Sequence, residues 1–330
     1  MTNVPGRRAI IRGLSSAGAV FALLIPADRV EAQRTRRIGF LIGDAPTMIA
    51  AFENELQALG YRFGGDLVVE KRVSRANTAD LPMQAAELAR LKLDLVVAAA
   101  LPQALEMRRA DPEMPMVIAT APGLVSNGFA QSIERPGGRY TGMEELPPGV
   151  TERRVRLLKT VAPQLSRVAL LSTTPGRGGH EAQVAEAEAT ARTLGLTVKT
   201  YRAASLNELK AALSEIVADK MEGFVNFQGG LSLANRELIV DFAAKNRLPA
   251  VYQSAFFPEA GGLMAWSPDQ EEQYRIAARY VDQILKGAKP GDLPIRHPER
   301  YLLILNTRAA RDLGLVLPAS ILSQADRVLP

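Results

Sequence analysis

RRIGFLIGDAPTMIAAFENELQALG, residues 36–60, opens with an apolar run behind two arginines and closes with apolar residues at positions 48, 49, 52, 56 and 59. The first pattern suits a strand buried on both faces; the second, with its steps of three and four, suits an amphipathic helix. Leu59-Gly60 ends the helix with the residue that most readily takes the left-handed conformation. The stretch therefore reads as the strand and helix that begin a parallel βαβ unit.

Outward from it, the same alternation continues. DLVVEKRV (66–73) reads as a strand, ADLPMQAAELARLK (79–92) as a helix and DLVVAAA (94–100) as a strand; a short helix around 103–109 and the strand MPMVIAT (114–120) follow. A second series starts at RVALLST (167–173), continuing with the helix HEAQVAEAEATARTLG (180–195), the strand LTVKTYRA (196–203) and the helix SLNELKAALSEIVAD (205–219). It ends with the strand MEGFVNFQ (221–228), the helix LANRELIVDFAAKNR (233–247) and the short strand LPAVYQ (248–253). Both series place an arginine before their first strand, Arg37 and Arg167, and a Leu-Gly pair after their first helix, Leu59-Gly60 and Leu194-Gly195. Two similar Rossmann-like α/β lobes with parallel sheets account for this better than one large sheet. Between them RPGGRYTGMEELPPGVTERR (135–154), rich in Gly and Pro, marks a crossover or hinge, with a helix beginning near Val150.

A length of 330 residues suits about two domains, and 47% hydrophobic against 23% charged residues allows a sizeable core. Cysteine is absent, which excludes disulfides, thiolate nucleophiles, zinc-thiolate sites and an acylated cysteine anchor. With only His180 and His297, a multi-histidine metal site is not expected. Of the net charge of +5, two units fall within residues 1–32, and the remaining basic residues are interspersed with acids, as in EKRVSRANTAD (70–80). A nucleic-acid binder would cluster them on a stripe with stacking aromatics, so nucleic acid is not expected as a partner.

GRRAIIRGLSSAGAVFALLIPADRVEA (6–32) has a basic start, an apolar stretch over 17–25, and Ala32 with Val30 two residues before it. That is the order of a secretory signal peptide, and the paired Arg7-Arg8 resembles a twin-arginine export signal. Cleavage near Ala32 and a periplasmic mature protein are expected; an uncleaved N-terminal anchor is the alternative, although the apolar run is shorter than a membrane span needs.

In open α/β sheets a ligand sits at the carboxyl ends of the strands, so two facing lobes would enclose a cleft lined by strand-end loops. The candidate ligand contacts are Asp44, Ala45, Thr47, Leu101, Thr120 and Ala121 in the first lobe and Thr173, Gln228, Tyr252 and Ser254 in the second. Gln228 and Ser254 offer neutral hydrogen-bonding groups, and Tyr252 an apolar body with a polar tip. Asp44 reads equally as a ligand contact or a helix N-cap. TTPGRGGHE (173–181) is a glycine-rich turn before a helix, but a dinucleotide fingerprint would need glycine where Glu181 stands; a cleft loop or a mobile surface loop remains. Serines occur in loops, as Ser126, Ser172 and Ser254, yet both histidines sit in polar loop contexts, and Glu53, Glu55 and Glu186 fall on solvated helix faces. No catalytic residue, metal site or cofactor is expected.

The series RRIGFLIG, SIERPGGRYTGM, NRELIVDFAAKNRLPAVY, EAGGLMAWSPD, AARYVDQILKGAKPGDLPI and NTRAARDLGLVLPASILSQADRVL resembles the ABC-transporter substrate-binding protein family that includes tryptophan and other aromatic amino-acid binders. The similarity runs from about Arg36 to Leu329. It implies a type I periplasmic binding protein, an α/β fold whose two lobes are joined by a three-strand hinge and close on a small-molecule ligand. The implied partners are an ABC permease and its ATPase subunit, and the protein is expected to be a monomer. Aromatic amino acids or aromatic carboxylates are the implied ligands. A sensory binding protein that signals to a membrane receptor is the alternative, and an enzyme is a third reading disfavoured by the scarcity of histidine and lack of cysteine. Two loops depart from relatives: TAPGLVSNG (120–128) lacks an aspartate found after their fourth strand, and QGGLS (228–232) stands where tryptophan binders carry an Asp-Asn pair.

The resemblance places the crossings near 146–150, in EAGGLM (259–264) and near GDLPIRHPER (291–300). It thereby assigns 33–147 plus 263–290 to lobe one and 148–262 plus 291–330 to lobe two. On that reading Gly261-Gly262 mark the second crossing, Leu263 and Met264 begin a strand returning to lobe one, and Asp269 caps the next helix. Trp266, the sole tryptophan, is then either core or an aromatic face on the cleft floor.

Overall fold

The computed structural model describes residues 34–74, 78–173, 178–227 and 229–330. The segment read as an export signal, residues 174–177 of the stretch read as a glycine-rich turn, and Gln228 lie outside the described residues.

β1 (Arg36–Gly43) buries five consecutive residues, as a strand covered on both faces must. It lies between β2 (Leu67–Ser74) and β3 (Leu95–Ala98), and β4 (Met116–Ala121) and β5 (Tyr140–Glu144) complete a five-stranded sheet of order β2-β1-β3-β4-β5 with every pairing parallel. α1 (Pro46–Ala58) brings Phe52 and Leu56 onto Ile38, Phe40 and Ile42 of one face. α2 (Leu81–Ala89) and α3 (Leu101–Ala110) pack Leu81, Leu88, Ala104 and Met107 around Leu41 and Val96 on the other.

The chain then enters a second unit of the same construction. In order it contains α4 (Val150–Val161), β6 (Arg167–Ser172), α5 (Gly178–Thr193), β7 (Thr197–Arg202), α6 (Leu206–Ala218), β8 (Gly223–Phe227), α7 (Gly230–Ala234), α8 (Arg236–Lys245), β9 (Ala250–Tyr252), α9 (Phe256–Glu259) and β10 (Met264–Pro268). α10 (Gln270–Leu285) returns to the first sheet, where Tyr274, Ala277, Tyr280 and Val281 join the cluster of Phe40 and Phe52. β11 (Tyr301–Asn306), α11 (Thr307–Asp312), α12 (Ala319–Leu322) and β12 (Arg327–Leu329) finish the second unit. Its sheet has the order β12-β11-β10-β9-β8-β6-β7, parallel except for the antiparallel pair β10–β11. The result is the α/β, two-lobe arrangement expected from the repeated series, with three connections between the lobes.

The second connection differs from expectation. Met264 pairs with Val251 of β9, and Trp266 stands opposite Leu303 of β11, so this strand belongs to the second sheet and the chain crosses only after Pro268. Gly262 is required by packing: a Cβ there would stand 2.6 Å from the Tyr252 ring and 2.9 Å from the Phe257 carbonyl oxygen. The Gly-Gly pair is thus a tight turn within the second lobe. Asp269 does cap α10, its carboxylate accepting from the Glu272 N–H at 3.2 Å.

Two other differences have local causes. β5 lies inside the segment read wholly as hinge; Gly142, at φ +151, lies so close to β4 that a Cβ would come within 2.0 Å of the Ile118 carbonyl oxygen. The third connection runs beside β5, with the Glu144 N–H donating to the Arg296 carbonyl at 2.8 Å. The single helix expected over 233–247 is broken at Asn235 into α7 and α8.

Candidate ligand-binding cleft

The carboxyl ends of β3 and β4 face those of β6, β7 and β9 across a cavity of about 720 Å³. From the first lobe it is walled by the start of α3, with Leu101, Pro102, Gln103 and Glu106, and by Thr120 and Pro122 at the end of β4. α3 begins at an extended Ala100 that supplies no side-chain cap, and proline is tolerated in this first turn because its missing N–H has no helical partner. Glu145 and Leu146, on the first connection, line the cavity between the lobes. The second lobe contributes Thr173, His180 in the first turn of α5, Ala204, the α7 segment through Asn235, and Gln253.

The second-lobe wall is held by side-chain bonds. Gln253 Nε2 donates to Gln183 Oε1 at 2.8 Å, tying the end of β9 to α5, with both amides buried. Ser232 Oγ, fully buried, accepts from the Gly229 N–H at 2.9 Å and fixes the first turn of α7. On the first-lobe side the Glu144 carboxylate accepts from the N–H groups of Gly123 at 2.5 Å and Leu124 at 2.8 Å, which shapes the loop after β4. Burial raises the Glu144 carboxyl above its ordinary value, opposed by those two N–H groups and His297.

A polar cluster joins all three connections. Arg154 of α4 is 0% exposed, and its Nε donates to the Trp266 carbonyl oxygen at 2.9 Å, just before the second connection. The Tyr301 hydroxyl, where the third connection enters β11, donates to the Glu145 carbonyl at 2.7 Å on the first. Burial pushes the Glu145 carboxyl up, opposed by the Arg154 charge and the Thr120 hydroxyl. Burial brings Arg154 down to about 10, with the Glu145 charge the main opposing influence.

Of the residues singled out from the sequence, Leu101, Thr120 and Thr173 line this cavity. Asp44, Ala45, Ala121, Tyr252, Ser254 and Trp266 do not, and Gln228 is outside the described residues. Thr47 borders a separate depression of about 330 Å³ between α1 and α10, with Asn54, Glu55 and Arg275. Asp44 is not the cap of α1; that position is Ala45, without a side-chain bond. Ala121 is in the core beside α3. Tyr252 is fully buried and stacks on Phe257 with ring centroids 4.6 Å apart, and Ser254 Oγ turns back to the Phe256 N–H. Gln253, between them, meets the cavity instead, because successive residues of an extended chain point to opposite sides. Trp266 is half-buried against the second-lobe core, stacked on Tyr301 at 5.7 Å with the Arg153 guanidinium over its ring.

Gln103, Glu106, Glu145, His180 and Asn235 were not among the sequence candidates, whereas Gln253 lies within the strand end 252–254 expected to meet the cleft. Strand alternation separates Gln253 from Tyr252 and Ser254, and the helix read over 180–195 places His180 in its first turn, at the end that faces the cleft. Glu145 carries no comparable local signal. Among the described residues no group of His, Asp and Glu is placed to hold a metal ion, and no helix is long and apolar enough to cross a membrane.

The family described as ABC transporter substrate binding protein matches residues 41–329. A solved structure of an ABC domain from Streptococcus pneumoniae in complex with L-Trp superposes with a TM-score of 0.82 at 23% identity, covering 89% of this chain and 100% of that one. The tyrosine-binding protein of Clostridioides difficile (strain R20291) is 20% identical over 282 residues, 84% of this chain and 81% of the relative. A solute-binding protein from R. palustris in complex with benzoate has a TM-score of 0.51 at 14% identity, covering 76% of this chain and 79% of that one.

Proposed function

The chain belongs to the ABC transporter substrate-binding protein family, and from that premise we propose that it is the exported, monomeric binding component of an ABC importer, capturing an aromatic amino acid or aromatic carboxylate between its lobes. The observation that carries this reading is the cavity walled by both lobes, with Glu145 and Leu146 of a connection in its lining. A ligand touching both walls favours the closed arrangement over the open one by its differential contacts, and the three connections are where the hinge would bend. Leu101, Leu105, Leu146 and Leu231 provide apolar surface for a ring, while polar groups between them orient it. Structures of similar fold in complex with L-Trp and with benzoate, and a relative named as a tyrosine-binding protein, support the aromatic class. The closed form would then be presented to a membrane permease driven by its ATPase.

The test is a thermal-shift screen of the chain from Gln33 onward against amino acids, aromatic acids, sugars and nucleosides. Aromatic solutes should raise the midpoint by mass action and be recovered unchanged by mass spectrometry. Shifts produced only by sugars or nucleosides would refute the ligand class, and a solute converted during incubation would refute the purely binding role.

A further inference from the structure

The aromatic reading does not say which charge on the solute the cleft recognises. Among the described residues of its wall the ionisable side chains are Glu106, Glu145 and His180, and none is lysine or arginine. The Arg154 charge lies behind Glu145, but both terminal nitrogens of Arg154 lack a hydrogen-bond partner among the described residues, so they do not engage the carboxylate directly. Gln273 Nε2 donates to Thr120 Oγ1 at 3.3 Å, which leaves the Thr120 hydroxyl proton for Glu145. One such donor cannot satisfy a carboxylate that has about four acceptor positions.

A second, independent observation concerns Gln103. It lines the same cavity, is 9% exposed, and its Oε1 has no partner among the described residues. The first-lobe side of the cavity therefore presents acceptors: the Gln103 oxygen without a partner, the Glu145 carboxylate, and the Glu106 carboxylate, which is already paired with Arg109 at 3.1 Å. An ammonium group has three donors and no acceptor, and in a partly desolvated site a charge-assisted bond to a carboxylate is the stronger kind. A solute carboxylate in the same place would add acceptors to acceptors and meet like charge.

Resting on the aromatic-solute reading, we infer that the cleft selects solutes bearing a protonated amine and that Glu145 is the residue that receives it. Burial opposes the charge on Glu145, the Arg154 charge and the Thr120 hydroxyl favour it, and the solute amine supplies further donors and an opposite charge that stabilise the carboxylate. Because Glu145 stands on the first connection, occupancy of its carboxylate is also felt where the lobes join.

The experiment is calorimetric titration of the wild-type chain with 2-phenylethylamine, L-phenylalanine, 3-phenylpropionate and n-hexylamine, repeated on Glu145→Gln and Glu106→Gln. The two aromatic amines should bind, with 3-phenylpropionate at least about tenfold weaker, and Glu145→Gln should weaken the amines by about 10- to 100-fold. Equal or tighter binding of 3-phenylpropionate overturns the inference, as does a loss seen only in Glu106→Gln. Binding of n-hexylamine without any aromatic compound would sustain the amine inference and reject the aromatic reading; silence from all four rejects both. Circular dichroism establishes that the variants fold, and the wild-type series decides the charge preference without them.

Discussion

Glu144 and Glu145 are sequence neighbours with different duties. The first carboxylate is bound to the Gly123 and Leu124 N–H groups and shapes a loop; the second faces the cavity. Burial raises both carboxyls above the ordinary value. A carboxyl whose folded value is raised contributes stability that is full below the ordinary carboxylate range and is lost as pH rises through the raised value. Glu145→Gln, which does not ionise, should therefore gain stability relative to wild type between about pH 4 and pH 7 in the absence of ligand. Urea midpoints at the two pH values check this, and a constant difference would remove the burial penalty from Glu145. Arg154→Ala should lose about 2–4 kcal/mol, from a fully buried side chain and its bond to the Trp266 carbonyl. Chemical denaturation measures that loss; a change below about 0.5 kcal/mol, the size expected of surface substitutions, would mean the cluster does not brace the connections.

At the scale of elements, the decisive contacts are backbone to backbone. Gly142→Ala would place a methyl group 2.0 Å from the Ile118 carbonyl oxygen, so β5 must part from β4 and the first connection must shift. The variant should fold poorly or melt many degrees lower, and an unchanged melting curve would contradict the close approach. Asp269→Ala removes the cap of α10 and should cost about 1 kcal/mol, measurable in the same assay. Element type was readable because β1, β3 and α1 differ in period. The partner of a strand was not: MAWSP is apolar enough for either sheet, and only the pairing of Met264 with Val251 and Trp266 with Leu303 places it in the second. The same limit explains the site, where Leu101, Thr120 and Thr173 follow from being at strand ends, whereas Tyr252 and Gln253 exchange roles through a one-residue choice of face.

At the scale of the molecule, the proposed closure has a built-in reporter. The Trp266 ring stacks on Tyr301 of the third connection, and its carbonyl is held by Arg154 near the second. Hinge bending should change its fluorescence on addition of a ligand without the indole touching that ligand. Trp266→Phe should thus keep binding within about threefold while losing the signal; a tenfold loss of affinity, about 1.4 kcal/mol, would make the ring a ligand contact. Saturation at about 100 times Kd should stabilise the protein by about 2.7 kcal/mol.

Residue period and turn chemistry by themselves determined the two α/β series, the cap at Gly60, and the expectation of a cleft at strand ends, because each depends on interactions a few residues long. Only the tertiary structure decided that β10 stays in the second sheet, that Glu145 opens onto the cavity with Arg154 behind it, and that Trp266 packs on Tyr301. Those outcomes depend on contacts between segments apart in sequence, from Met264 with Val251 to Arg154 with Trp266 across 112 residues, for which a local run of side chains carries no signal.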